Sequence, residues 1–421
     1  MPLLSDSPTV LPIHRRILAF SFIGWIFDFY DLLLLSFLVA STSLTKDLAL
    51  SRDDVALLLG TALAFTAVGG LIGGALADRY GRKPLLMITI LVYSVGTLLS
   101  GFATGMWTLL AARALTGIGV GGEWAVAHAL VGETVPPHVR GRYGSYLQSG
   151  SAFARFFATM VGNLLAPLIG WRAAFMLSAL PALLVVFIRR QMPESDVWLL
   201  DQERNRGARR SYVSVLMQML GPALRKTTSL AMAVTTLNMA AYWFKTIWIP
   251  TYLHEIRGLS LGESAWLLLM DQIGSLVGYV CFGFSSDYFG RRPSFTAFSM
   301  IKAAGLLMVT LGWGLGGGYS FTIFAFMFLV GFGEGNWGCI GPLLNEVFPT
   351  SVRAAALGII YNVSRGVQFL APVVIAAVAV RSTFGAGIAL AAPFAMLAGL
   401  VVWALPETKG VRLMEKARAI A

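Results

Sequence analysis

Stretches of roughly 20 consecutive apolar residues recur about twelve times along this chain, and no other feature constrains its fold so tightly. They begin near Arg16, Val55, Leu85, Trp107, Tyr143, Ala173, Thr227, Ser264, Ser294, Tyr319, Ala354 and Phe384. Hydrocarbon offers no water to unpaired backbone groups, so each stretch must close its own hydrogen bonds as a helix. Only 13% of the 421 residues are charged, against about 25% in soluble domains. A soluble fold is therefore excluded, and 27 Phe, 12 Tyr and 11 Trp exclude a disordered chain. The 45 glycines follow no collagen-like period and suit close helix packing in lipid.

The net charge of +11 takes its meaning from where the cations fall. Roughly 22 of the 32 Lys and Arg lie at the termini and in loops joining even to odd spans, and about 5 lie in the opposite loops. An even number of spans with this bias places both termini in the cytoplasm of an inner-membrane protein. The excess is topological, and no nucleic-acid partner is expected. The first span carries Asp28 and Asp31 and no small-x-small cleavage site follows it, so it reads as a transmembrane helix rather than a signal peptide. Cys281 and Cys339 fall inside spans eight and ten, which argues against a disulfide framework. No metal-ligand cluster, cofactor motif or nucleophile-base pair is legible.

The chain is duplicated. Gly74-Ala-Leu-Ala-Asp78-Arg79-Tyr80-Gly81-Arg82-Lys83-Pro84 recurs as Gly283-Phe-Ser-Ser-Asp287-Tyr288-Phe289-Gly290-Arg291-Arg292-Pro293. Glu133-Thr-Val-Pro136 with Arg140 recurs as Glu346-Val-Phe-Pro349 with Arg353, and Pro193-Glu194-Ser195 recurs as Pro406-Glu407-Thr408. Repeats in the same order and topology imply two halves related by an axis along the membrane normal. The expected division is a bundle over 1–190, a polar cytoplasmic linker over 191–226 and a second bundle over 227–421.

These loops, with Arg113-xxx-Gly117-Ile-Gly119-Val-Gly121-Gly122 in span four and Pro406-Glu407-Thr408-Lys409-Gly410, resemble the sugar-porter-like branch of the major facilitator superfamily along essentially the whole chain. Within that branch, Asp28-Phe29-Tyr30-Asp31 is similar to the span-one pattern of proton-coupled organic-acid symporters of aromatic-acid, sialate or lactate type. The resemblance implies an all-α membrane protein with twelve transmembrane helices in two pseudo-symmetric six-helix bundles. It also implies a proton-coupling acid in span one set against an arginine in span four. In the aromatic-acid carriers span eleven supplies an arginine twelve residues after the loop arginine, the relation of Arg365 to Arg353 here.

Gly117, Gly119 and Gly122 satisfy the spacing of a dinucleotide fingerprint, but that motif needs a strand before it and a helix after it. Here it lies within an apolar helix, so Gly117-xxx-Gly121, and Gly331-xxx-Gly335 in span ten, read as contacts where helices approach closely. The duplicated loops allow two readings. Arg82 and Arg291 serve topology alone, or Asp78 and Asp287 accept from helix ends and arginines when the cytoplasmic side closes. Pairing of acid with base in both copies favours a gate, and it extends to a charge network of Glu133 with Arg140 and Glu346 with Arg353.

Inside the spans lie Asp28, Asp31, Glu123, Asp271 and Glu334 among acids, and Arg113, Arg155, Lys245, Lys302 and Arg365 among bases. Each costs roughly 2.5 to 3.5 kcal/mol at the bilayer centre, so they must pair or face water. At 1.5 Å rise per residue, Asp28 falls at the midplane and Asp31 one turn away, within reach of Arg113. Asp28, Asp31 and Arg113 are the expected proton-coupling set. Arg155 and Arg365, at matching depths in the two halves, could clamp a carboxylate. Asn238, Tyr242 and Lys245 share one face of span seven, and Gln148 shares the face of Arg155. Substrate contact by Lys302 is the weaker reading, since span nine is usually peripheral in this fold, and His128 reads as a packed or interfacial histidine.

Four functions compete. Span five lacks the Gly-Pro-xx-Gly-Gly signature of drug/proton antiporters, and span seven lacks the glutamines that satisfy sugar hydroxyls in sugar symporters. Nothing suggests an enzyme or a sensor. The sequence thus points to a secondary active transporter, a monomer importing a small organic anion with protons by alternating access. Proton-coupled sugar symport is the alternative and drug/proton antiport the more distant one.

Overall fold

The computed structural model describes residues 3–204, 212–315, 317–368, 384–411 and 413. Part of the expected linker and the second half of span eleven lie outside these residues. Among the described residues every regular element is helical. Among the described residues eight helices are long and apolar enough to cross a bilayer: Pro12–Val39, Asp53–Tyr80, Arg82–Gly101, Met106–Thr134, Gly262–Tyr288, Arg291–Thr310, Phe321–Val347 and Gly385–Ala404. They correspond to spans one to four, eight to ten and twelve.

The remaining spans are the polar or interrupted ones. Span five is Arg140–Met160, prolonged by a π-helical turn over Val161–Leu165. Span six is expected from Ala173, and the chain in fact reverses slightly earlier, at Gly170. Its φ of 82° belongs to the left-handed region that glycine enters at little cost. Span seven is Arg225–Thr251, and span eleven is described over Arg353–Val367.

Glycines set the helix spacing in both halves alike. A Cβ on Gly117 would strike the Ala62 carbonyl and one on Gly121 the Thr66 carbonyl, so span four lies directly on span two. A Cβ on Gly331 would strike the Asp271 carbonyl and one on Gly335 the Gly278 carbonyl, which puts span ten on span eight in the same way. Helix association in lipid relies on such close backbone approach because hydrocarbon supplies no hydrophobic drive between helices. The halves meet where Gly74 faces the Ala354 carbonyl and Gly283 faces the backbone of Arg142, pairing span two with span eleven and span eight with span five. The loops after spans two and eight turn on Gly81 and Gly290, with φ of 109° and 108°.

Candidate functional site

At the end of the bundle bearing the duplicated loops, side chains join the two halves. Asp78, in the last turn of span two, accepts from the backbone N–H of Ala354 at 3.2 Å and of Ala355 at 2.9 Å, in the first turn of span eleven. Asp287 accepts from Gly141 N–H at 2.8 Å and Arg142 N–H at 3.0 Å, in the first turn of span five. A carboxylate there satisfies free N–H groups and faces the positive end of the helix dipole. Arg82 and Arg291 then reach back to Asp78 at 3.0 Å and Asp287 at 2.9 Å.

The expected pairing of Glu133 with Arg140 and of Glu346 with Arg353 is corrected by the structure. The partners are exchanged between halves. Glu133 receives Arg82 at 2.8 Å from its own half and Arg353 at 2.7 Å from the other. Glu346 receives Arg291 at 2.8 Å and, across the interface, Arg140 at 3.3 Å. The reason lies in the backbone. Arg140 Nε donates to the Gly132 carbonyl at 2.8 Å, and Arg353 Nε donates to the Asn345 carbonyl at 2.9 Å. Each guanidinium is thus anchored on its own half and directs its Nη1 at the opposite glutamate.

Glu194 and Glu407, noticed in the sequence only as repeats, complete these loops. Glu194 accepts from the backbone N–H of Arg82 and Lys83 at 3.0 and 3.1 Å, and Glu407 from those of Arg291 and Arg292 at 2.9 and 3.1 Å. Each caps the span that follows a duplicated loop. Their recurrence at a fixed offset from the loops was the available signal.

Toward the middle of the bundle, Trp124 of span four stacks on Tyr361 of span eleven with ring centroids 3.7 Å apart. Beside this stack is a small cavity walled by both halves. Trp25, Phe29, Gln148 and Ser151 come from the first half, and Tyr242, Trp243, Trp337, Tyr361 and Arg365 from the second. The aromatic wall follows from no motif. Trp25, Trp337 and Tyr361 look like core residues until the tertiary structure places them around one space.

Arg365 is the cation on this wall. Its Cζ lies 4.7 Å from the centre of the Tyr361 ring, and its Nη2 has no hydrogen-bond partner among the described residues. Arg155 is not on the wall. It donates to Tyr242 Oη at 2.7 Å and to Gln272 Oε1 at 3.1 Å. Gln148 is held in place by Trp124 Nε1, which donates to its Oε1 at 3.0 Å, with His128 Nε2 at 3.3 Å from the same oxygen.

The polar stripe of span seven does not face the cavity as a unit. Tyr242 does, but Lys245 is buried between Asp271 at 3.0 Å and Glu334 at 3.3 Å. Asn238 Oδ1 accepts from Lys302 Nζ at 3.1 Å and Asn336 Nδ2 at 2.9 Å. A buried cation is held by whatever carboxylates lie nearest, and spans eight and ten supply them here. In the first half, Arg113 Nη1 lies 3.6 Å from Asp31, and its other nitrogens donate to Ser100 at 3.0 Å and Thr116 at 2.9 Å. Thr97 donates its hydroxyl to Asp31, and the guanidinium lies 4.9 Å from the Phe175 ring centre. Asp28 and Glu123 are fully buried nearby.

Two helical halves, a small cavity walled by both and a lock across one end define a membrane transporter of the alternating-access kind. The chain belongs to the Major Facilitator Superfamily, which its residues 20–271 and 231–418 match. It is 32% identical to a probable 4-methylmuconolactone transporter of Cupriavidus pinatubonensis, over 93% of this chain and 90% of that one. It is 30% identical to the sialic acid transporter NanX of Escherichia coli, over 90% and 91% of the two chains. Among solved structures, the proton:xylose symporter XylE has the same fold at a TM-score of 0.73, with 22% identity over 97% of this chain and 99% of that one.

Proposed function

We propose that this chain imports a small organic anion with at least one proton across an inner membrane, as a monomer with both termini in the cytoplasm. The observation that carries this reading is Arg365, a guanidinium with an unengaged Nη2 on the wall of a largely aromatic cavity. A planar carboxylate can take two parallel hydrogen bonds from such a group, and aromatic faces suit an unsaturated or ring-bearing body. The names of the two relatives fit a carboxylate cargo, since sialic acid and methylmuconolactone both carry one. Arg155, Tyr242 and Gln148 complete the proposed binding set, and movement of Tyr242 would turn Arg155 toward the same anion.

In this reading the bundles over 1–190 and 227–421 rock about the linker over 191–226. Asp78, Asp287, Glu133 and Glu346, with Arg82, Arg291, Arg140 and Arg353, form the cytoplasmic gate. Asp31, assisted by Asp28, carries the proton, and Arg113 governs its release. A monoanion entering against a negative interior costs roughly 2.3 kcal/mol per 100 mV, which one proton cancels. The test is uptake of labelled organic acids by proteoliposomes with and without a protonophore. Accumulation of an acid that collapses with the protonophore is expected, and uptake restricted to neutral sugars would overturn the assignment.

A further inference from the structure

The buried acids of the spans are not equally provided for. Asp31 has Arg113 and Thr97, while Asp271 and Glu334 share Lys245. Asp28 and Glu123 are both 0% exposed, and none of their four carboxylate oxygens has a hydrogen-bond partner. They are neighbours. Glu123 Oε1 lies 2.7 Å from where a Cβ on Gly24 would stand. Span four therefore presses this carboxylate against span one, a single turn before Asp28 on the same face. Gly24 has no side chain to fill the space that Glu123 enters.

A third unpartnered group points to the same place. Tyr93 of span three is 0% exposed with its hydroxyl unbonded, and its electrostatic neighbours are Glu123, Asp28 and Asp31. The charged groups facing Asp28 are Glu123 from span four, Arg365 from span eleven and Asp31 on its own span. Two bare carboxylates side by side in a dry interior cannot both stay ionised, because each lacks solvation and repels the other. The site demands a cation, and the smallest that fits without further ligands is a proton.

We infer that Asp28 and Glu123 form a carboxylate dyad that takes up a transported proton, a second proton site distinct from the Asp31–Arg113 pair. This rests on the symport reading above. Arg365 links the dyad to the cargo. In the empty cavity Arg365 is the cationic neighbour of Asp28 from the other half, and a substrate carboxylate bound to Arg365 neutralises it. A proton on the dyad then replaces the lost counter-charge, with the unbonded Tyr93 hydroxyl among its neighbours. With one proton at Asp31 and one on the dyad, two protons enter per monoanion and transport carries net positive charge inward.

The experiment measures the charge moved per substrate in proteoliposomes, using a panel of labelled organic acids under imposed pH gradients and potassium diffusion potentials. The parent protein is expected to accumulate substrate in response to an inside-negative potential alone. Glu123→Gln, a neutral near-isostere of the protonated acid, is expected to lose that response while still accumulating substrate on a pH gradient. A parent whose uptake follows the pH gradient but ignores the potential overturns the dyad and leaves symport standing. A Glu123→Gln variant that responds to the potential as the parent does overturns it too. Acid uptake in the parent that responds to neither gradient overturns the symport reading instead.

Discussion

Arg353 Nη1 and Glu133 Oε1 lie 2.7 Å apart, although 220 residues separate them in the chain and they belong to opposite halves of the molecule. Glu133 also holds Arg82, so one fully buried carboxylate serves two guanidiniums. Removing one partner of a buried charge group typically costs about 3 to 5 kcal/mol because the other charge is stranded. Glu133→Gln should therefore lower the melting temperature of the detergent-solubilised protein by several degrees and slow transport. An unchanged melting curve and rate would mean that this contact is dispensable.

Asp78→Asn and Asp287→Asn test the gate more gently. Each removes a charged acceptor from a helix N-terminus and a contact to Arg82 or Arg291, interactions worth about 1.5 to 3 kcal/mol for a charged hydrogen bond. The contacts to spans eleven and five cross between halves, so the loss falls on the closed arrangement. Roughly a tenfold fall in turnover with substrate affinity nearly unchanged is expected. Initial-rate uptake beside equilibrium binding measures both. Normal transport by both variants would leave the loops with a topological role alone.

Arg365→Lys keeps the charge and loses the planar two-pronged donor. Substrate affinity should weaken about tenfold to a hundredfold, in line with the energy of a charge-assisted hydrogen bond. Calorimetric titration of the purified variant checks this. An affinity equal to the parent's would take Arg365 out of the binding set.

Asp31→Asn fixes that side chain in a neutral state beside Arg113. Uphill uptake driven by an inward proton gradient should fall to what the single proton of the Asp28–Glu123 dyad supports and should lose its response to an inside-negative potential, while downhill exchange of preloaded substrate continues at a reduced rate. Uptake after a pH jump, run beside counterflow, separates the two. Accumulation equal to the parent's under both the proton gradient and the potential would take Asp31 out of the proton path.

Glu407 gives the duplicated loops a pH signature. Burial pushes its carboxyl up, but the backbone N–H groups of Arg291, Arg292, Lys409 and Thr408 outweigh burial and hold it below the ordinary value. A depressed carboxyl contributes stability that is present above the unfolded value of about 4.3 and is lost as pH falls through the folded value. Thermal melts in detergent should thus show a loss of stability on acidification from about pH 5 to pH 3, and Glu407→Gln should make that loss shallower. An identical acid limb in parent and variant would remove Glu407 from the account.

Much of the fold was legible because hydrocarbon imposes its demands locally: a run of apolar residues must be a helix wherever it stands. The close approaches of Gly117 and Gly331 could be read for the same reason, since a small residue repeated every four positions marks one helix face. Span six was placed slightly late because a single glycine at 170, rather than a polar loop, reverses the chain there. The site was less legible. Arg113 and Asp31 were found together because matched depth sufficed to bring them close, whereas Lys245 was placed on the substrate face because helical spacing says nothing about what waits on the neighbouring helix.

The duplicated Asp, Glu and Arg residues were fixed by the sequence as a set, and so was their confinement to one end of the bundle, because both follow from the order of motifs along the chain. Which glutamate takes which arginine was decided only by the tertiary structure. Arg140 and Arg353 each spend their Nε on a carbonyl of their own half, and only the docking of span five on span eight and of span eleven on span two carries their Nη1 atoms to the opposite glutamate. The same docking gathers Trp25, Trp337, Tyr361 and Arg365 around a single cavity. Periodicity in a helix reports the angle of a side chain about its own axis, and a partner on another helix depends on how two axes are set against each other.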